Sequence, residues 1–224
     1  MNKLLIIPTP IGNLEDITLR ALRMLKEVDV VLAEDTRQTK KLLDHYKIST
    51  RLSAYHKFNE QKTVEGVVEQ LKSGMTIGLV SDGGTPGISD PGYVLIQACI
   101  REGITVECLP GATAFVPALI NSGFATDEFV FIGFLPHKKG RQTKLKEIAL
   151  ELRTIILYES PFRVVKLLNE LLQHLGEERK ISASRELSKM FEETIRGTAG
   201  ELIERFTLKE PRGEFVIIIE GKKD

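Results

Sequence analysis

Two α/β units, the first built on a parallel sheet and the second on a mixed sheet, are what this 224-residue sequence predicts. Three observations predict them. Short, continuous apolar runs alternate with segments of helical period as far as Asn121, the pattern of βαβ units around a parallel sheet. Loops rich in Gly, Pro and Asp follow those runs, at the strand ends where open α/β sheets hold ligands. Beyond Ser122-Gly123-Phe124-Ala125-Thr126-Asp127 the pattern restarts with strands joined by short turns, which favours a mixed sheet. The expected division is 1–122, carrying the glycine-rich loops, and 123–224.

Leu4 to Ile7 is short and wholly apolar, as a strand buried on both faces must be. The loop Pro8-Thr9-Pro10-Ile11-Gly12-Asn13 follows. Asp16 is placed to cap a helix whose apolar face is Leu19, Leu22, Leu25 and Val28. Val28 to Ala33 is the second strand, leading to Glu34-Asp35-Thr36-Arg37 and a basic helix through Lys40, Lys41, Leu42 and Leu43. Ser53 to His56 reads as a strand end, and Asn59 opens a helix with Val64, Val67, Val68 and Leu71 on one side. Thr76 to Val80 is the strand before Ser81-Asp82-Gly83-Gly84-Thr85-Pro86-Gly87-Ile88-Ser89-Asp90-Pro91-Gly92. A helix to Arg101, a strand from Thr105 to Cys108 and the loop Leu109-Pro110-Gly111-Ala112-Thr113 lead to the helix Ala114–Asn121.

The second half opens with the strand Phe129–Phe134 and a basic stretch, His137, Lys138, Lys139, Gly140, Arg141 and Lys144. The strand Thr154–Tyr158 and helix Phe162–Leu175 come next. The strand Lys180–Ser184 runs into Arg185-Glu186-Leu187-Ser188-Lys189. A strand from Phe191 to Ile195, the helix Ala199–Phe206 and a last strand, Phe215–Glu220, complete the order.

Composition narrows the functional classes. The chain is 42% hydrophobic and 28% charged, which is folded rather than disordered. Lys+Arg and Asp+Glu both number 31, so a polyanionic partner must be met by a local basic patch. Cys99 and Cys108 read as small core residues and give neither a metal spacing nor a disulfide framework. His45, His56, His137 and His174 are scattered and read as surface or partner-satisfied residues. The start, Met1-Asn2-Lys3 and a short apolar run, is too brief for a signal peptide, and no run reaches bilayer length, so the expected setting is the cytoplasm. There is no P-loop, no Rossmann glycine spacing, no zinc-type cluster and no Gly-x-Ser-x-Gly elbow.

Chemistry is therefore sought in the loops. Glycine allows close backbone approach to a ligand, and proline fixes the path. Asp82 and Asp90 flank the central loop and either contact a cationic or hydroxylated ligand or close Asx turns. Glu34 and Asp35 either accept a proton or orient a base, or cap a helix with ion pairs to Arg37. Arg163, Arg185, Lys189 and Arg196 bind phosphate if they converge, and mean nothing if scattered over exposed helices.

Pro8 to Arg20, Glu34-Asp35-Thr36-Arg37, Ser81 to Gly92, Leu109-Pro110-Gly111, Tyr158-Glu159-Ser160-Pro161 and Arg185-Glu186-Leu187 together resemble the ribosomal RNA small subunit methyltransferases of the tetrapyrrole methylase superfamily. The motifs agree in order and spacing over nearly the whole chain. The resemblance implies two α/β domains with S-adenosylmethionine in the cleft between them, the second domain closing that cleft, and a homodimer. It implies methylation of the ribose 2′-hydroxyl of a cytidine in the decoding centre, on ribosomal RNA or an assembled small subunit, without metal or membrane. By the same resemblance Pro10 and Ile11 lie beneath the cofactor. Asp82, Thr85, Thr113 and Ala114 contact its amino-acid and ribose portions, and Tyr158, Leu187, Gly213 and Glu214 close over its other end. Two departures stand out. Phe162 occupies a position where the family often has His, which excludes a role for that imidazole, and many members extend beyond a last strand such as the one ending near Asp224.

Methyl transfer from a sulfonium needs two reactants held in line, not a covalent intermediate. A ribose hydroxyl is a poor nucleophile, so a base helps. Asp35 is the residue chosen here for base or orienting carboxylate, with Arg37, Arg163, Arg185 and Lys189 for RNA phosphate. Three other classes compete: a methylase of the same superfamily acting on a tetrapyrrole, a non-catalytic ribosome-assembly factor, and a metal-free hydrolase using Asp82 with Asp90 or Asp35.

Overall fold

The computed structural model describes residues 3–208 and 210–223. Met1, Asn2, Lys209 and Asp224, which the expected ranges include, lie outside the described residues. The chain divides into two units, 1–113 and 114–224.

In the first unit β1 (Lys3–Ile6), β2 (Val30–Ala33), β3 (Leu52–Ala54), β4 (Ile77–Val80) and β5 (Thr105–Cys108) form one sheet in the order β3-β2-β4-β1-β5. Every pairing in it is parallel. Side chains alternate between faces along a strand, and in β1, β2 and β4 both faces are buried. Leu4, Ile6, Val30 and Leu32 enter one core with α3 (Glu60–Lys72) and α4 (Tyr93–Arg101). Leu5, Ile7, Val31 and Ala33 enter a second core with α1 (Leu19–Glu27) and α2 (Thr36–His45). This double burial is why the strands read as unbroken apolar runs.

The second unit holds β6 (Phe129–Phe134), β7 (Thr154–Glu159), β8 (Lys180–Arg185), β9 (Glu193–Thr198) and β10 (Phe215–Ile219), in the order β6-β7-β10-β8-β9. Only β6 and β7 pair in parallel; the other pairs are antiparallel. Ile155, Leu157, Ile217 and Ile219 pack against α6 (Arg141–Leu150), α7 (Val164–Leu175) and α8 (Ala199–Leu208).

Several local expectations are corrected. The first helix is capped by Thr18, whose hydroxyl accepts from Ala21 N at 3.0 Å, because Asp16 lies inside a short 3-10 turn capped by Asn13. Leu19 is 87% exposed, so the buried face is Ala21, Leu25 and Val28. Cys99 is buried but Cys108 is exposed at the end of β5. Phe162 and Phe191 lie outside their expected helix and strand, and both are exposed. The helix α5 (Phe115–Ser122) packs on β8, β9 and β10, which places it in the second unit and sets the division before it, not at the Ser122–Asp127 linker.

Candidate active site

All strands of the first sheet run the same way, so the loops after them collect along one edge. The chain winds from β1 out to β2 and β3, then returns to β4 and passes to β5, so the winding reverses between β1 and β4. The loops after these two strands are stitched together. Thr9 N donates to Gly84 O at 2.9 Å and Gly84 N to Thr9 O at 2.8 Å. Thr9 Oγ1 donates to Ser81 O at 3.1 Å. Thr85 Oγ1 reaches Ala112 O at 3.1 Å and draws in the loop after β5.

That third loop closes only because Gly111 has no side chain: a Cβ there would sit 2.5 Å from Pro8 Cβ. Gly111→Ala is therefore expected to cost about 1–3 kcal/mol, as overpacking of a tight contact does. A urea titration checks this, and an unchanged midpoint would mean that Pro8 yields freely.

The carboxylates of this edge form a chain of contacts. Asp82 Oδ1 accepts from Asp35 N at 3.0 Å, tying the loop after β4 to the one after β2. Asp35 caps α2 and accepts from Arg37 N at 2.8 Å, Arg37 Nε at 3.0 Å and Arg37 Nη2 at 2.7 Å. The Arg37 hydrogen bonds hold the Asp35 carboxyl well below the usual range, to about 2. Glu34 behaves in the opposite way. Burial, and after it the negative charge of Asp82, pushes its carboxyl up; a hydrogen bond from the Asp82 backbone amide and the neighbouring His56 pull it back in part. Beside these groups, His56 Nδ1 and Ser81 Oγ are buried polar atoms without a hydrogen-bond partner among the described residues.

Pro10, Ile11, Asp82, Thr85 and Thr113 all lie in these loops of the first unit, and Pro10 and Ile11 back directly onto Gly83. Ala114, Tyr158, Leu187, Gly213 and Glu214 belong to the second unit. There, Phe215 pairs with both Glu159 and Arg185, so Tyr158, Leu187 and the Gly213-Glu214 turn gather at one end of the sheet. Tyr158 meets Phe131 and Phe134 edge-on at 5.2 and 5.7 Å, and Phe131 meets Phe115, next to Ala114, at 5.0 Å. Leu187 is buried between Glu186 and Ser188, whose φ values of 50° and 63° are costly for residues with a side chain. Gly213, at φ 78°, leaves the room that the Glu186 side chain occupies.

The cations chosen for phosphate are each engaged. Arg37 is paired with Asp35, Arg163 with Glu159, Arg185 with Glu193 and Lys189 with Glu186. Arg196 donates to Asn121 O, at the carboxyl end of α5. Among the described residues no group of three or more His, Cys, Asp or Glu could hold a metal ion. No helix among them is long and apolar enough to cross a membrane.

The family model for Tetrapyrrole (Corrin/Porphyrin) Methylases matches residues 3–203. The chain belongs to this family. It is 44% identical over 223 residues to a Thermotoga maritima protein named Ribosomal RNA small subunit methyltransferase I, covering all of both chains. It is 50% identical over 219 residues to the Halalkalibacterium halodurans protein of the same name, covering 97% of this chain and 75% of that one. Among solved structures it is similar to uroporphyrin-III C-methyltransferase from Thermus thermophilus complexed with S-adenosyl homocysteine. That likeness has a TM-score of 0.67 at 20% identity and covers 96% of each chain; at that identity it speaks for the fold.

Sequence reasoning passed over His56 and Ser81 in this family's loop edge. The signal was positional: both follow parallel strands, as Glu34 does, so all of them reach the same sheet edge.

Proposed function

We propose that this protein transfers a methyl group from S-adenosylmethionine to the ribose 2′-hydroxyl of a cytidine in the decoding centre of small-subunit ribosomal RNA. One observation carries the acceptor class: the end-to-end identity of 44% with a relative named for small-subunit ribosomal RNA. Family membership supports the donor. So does the site, since unpartnered buried polar atoms such as Ser81 Oγ and His56 Nδ1 suit an edge that receives a polar ligand.

S-adenosylmethionine, when bound, supplies a methyl group activated on a positively charged sulfur. Asp82, Thr85, Thr113 and Ala114 are the residues we assign to its amino-acid and ribose portions. To its remaining part we assign Pro10 and Ile11 from the first unit, and Tyr158, Leu187, Gly213 and Glu214 from the second, as the residues that would hold it. We assign proton acceptance from the ribose hydroxyl to Glu34. Its raised carboxyl has the greater proton affinity, whereas Asp35, held to about 2, is a weak acceptor at neutral pH. Asp35 instead orients the loop through Arg37. The proposed working form is a homodimer, which the zero net charge mildly favours.

The test offers tritiated S-adenosylmethionine with isolated small subunits, free ribosomal RNA and a porphyrinoid in parallel. Label in the RNA of the subunits is the expected result. Label confined to the porphyrinoid would place the protein among tetrapyrrole methylases. Cofactor binding without transfer to any acceptor would point to an assembly factor.

A further inference from the structure

We propose that the loop after β6 and the turn after β7 form a surface that grips single-stranded RNA. In it Phe162 is a platform for a base, and Lys138 and Lys139 meet the flanking phosphates. This rests on the ribosomal RNA function proposed above and says where that RNA is held.

The sheet brings the two segments together. β6 and β7 run parallel, with Phe134 opposite Tyr158, so residues 135–140 and 160–163 emerge side by side. Arg163 Nη1 lies 2.8 Å from the His137 ring nitrogens across the two segments. Each segment is fastened from below. The Arg141 side chain, 7% exposed, donates to Glu170 Oε2 at 2.9 and 2.5 Å and to Pro136 O at 3.1 Å. The buried Glu159 carboxylate accepts from Ser160 N and from Arg163 Nε, both at 2.8 Å. These anchors neutralise their own charges and fix the backbone.

What remains on the outside is not neutralised. Lys138 and Lys139 are exposed and form no ion pair among the described residues. Lys166, one turn beyond Arg163, is likewise exposed and has no ion pair among the described residues. From His137 to Lys146 the sequence carries Lys138, Lys139, Arg141, Lys144 and Lys146 and no acidic residue, in a chain whose net charge is zero; Arg141 and Lys144 are paired with Glu170 and Glu147, so Lys138 and Lys139 carry the outward charge of this loop. In the adjoining turn, Phe162 is 93% exposed. A bare aromatic face set among lysines is what single-strand binders use: bases stack on the ring and cations follow the backbone. A protein partner fits less well, because protein interfaces are depleted in lysine at their centres.

The test measures binding of isolated small subunits across a salt series for wild type, for Lys138→Glu with Lys139→Glu, and for Phe162→Ala. Tritium transfer and calorimetric cofactor binding are followed in parallel. The double reversal is expected to weaken binding by at least about tenfold. It should also reduce the slope of log affinity against log salt by roughly 1.4–1.8, the value for two lost phosphate contacts. Phe162→Ala is expected to weaken binding by about tenfold with the slope retained. The KM for subunits should rise in both, and cofactor affinity should stay at the wild-type value. Wild-type binding and slope in both variants, alongside normal methylation by the parent, would overturn the surface while leaving the proposed function intact. Sedimentation showing that the substitutions dissociate a homodimer would overturn it in favour of a protein contact. If the parent neither binds nor methylates subunits, the proposed function and the surface fall together.

Discussion

Glu170→Ala is expected to destabilise the second unit by about 3–5 kcal/mol, the usual cost of removing one partner from a buried ion pair. At a few degrees per kcal/mol for a chain of this size, the thermal midpoint falls by roughly 10 °C. The Arg141 and Glu170 side chains are 7% and 13% exposed, and among the described residues Glu170 is the only carboxylate bonded to that guanidinium. Its loss strands a buried cation that still donates to Pro136 O. Arg141→Met combined with Glu170→Leu removes both charges together and is expected to recover most of the stability, because the desolvation cost disappears with the pair. Urea and thermal melts of Arg141→Met, Glu170→Leu and the double variant close the cycle, with Glu170→Ala measured beside them. A cost below about 1 kcal/mol for Glu170→Ala would show that the pair behaves as a surface one.

Asp82→Asn is expected to weaken S-adenosylmethionine binding by roughly 10–100-fold, the value of a hydrogen bond to a charged group. Asparagine keeps a side-chain oxygen that can accept from Asp35 N, so the loop contact of 3.0 Å survives while the charge is lost. A second effect follows on Glu34. Burial is the larger cause of its raised carboxyl and stays in place; the repulsion from Asp82 goes. Ionisation of Glu34 becomes easier, so the pH above which it can accept a proton moves down. The acidic limb of the kcat profile is thus expected to shift to lower pH, by less than a full return to the ordinary carboxylate value. Calorimetry and a pH-rate profile test the two effects separately. Unchanged affinity would remove Asp82 from the cofactor site, and an unmoved limb would remove Glu34 from proton transfer.

The parallel sheet was legible because its three inner strands are buried on both faces. Leu4–Ile7 and Ile77–Val80 have no polar face to confuse them with helix. Turn chemistry made the loop edge legible too, since the clustered Gly, Pro and Asp of Ser81–Gly92 could not continue a helix or strand. What escaped notice was decided by tertiary contacts. Thr18 rather than Asp16 caps α1 because a 3-10 turn intervenes. The helix α5 joins the second unit because its apolar residues meet β8, β9 and β10, which no local pattern records. The same holds in the site. That Arg163 meets Glu159 was within reach, four residues apart on one turn. That Arg185 meets Glu193, or that Asp82 bonds Asp35 N, depends on which strands become neighbours. His56 and Ser81 became informative only when the lack of a partner at His56 Nδ1 and Ser81 Oγ was visible.

The central claim is ribose methylation of small-subunit ribosomal RNA, and its most direct test is where the label resides. Small subunits labelled with tritiated S-adenosylmethionine are stripped of protein, and the RNA is hydrolysed with alkali and mapped. A 2′-O-methyl group blocks cleavage at its own nucleotide, so the expected result is a single alkali-resistant dinucleotide beginning with cytidine from the decoding centre. Label released as a mononucleotide, or recovered on a base, would contradict the claim.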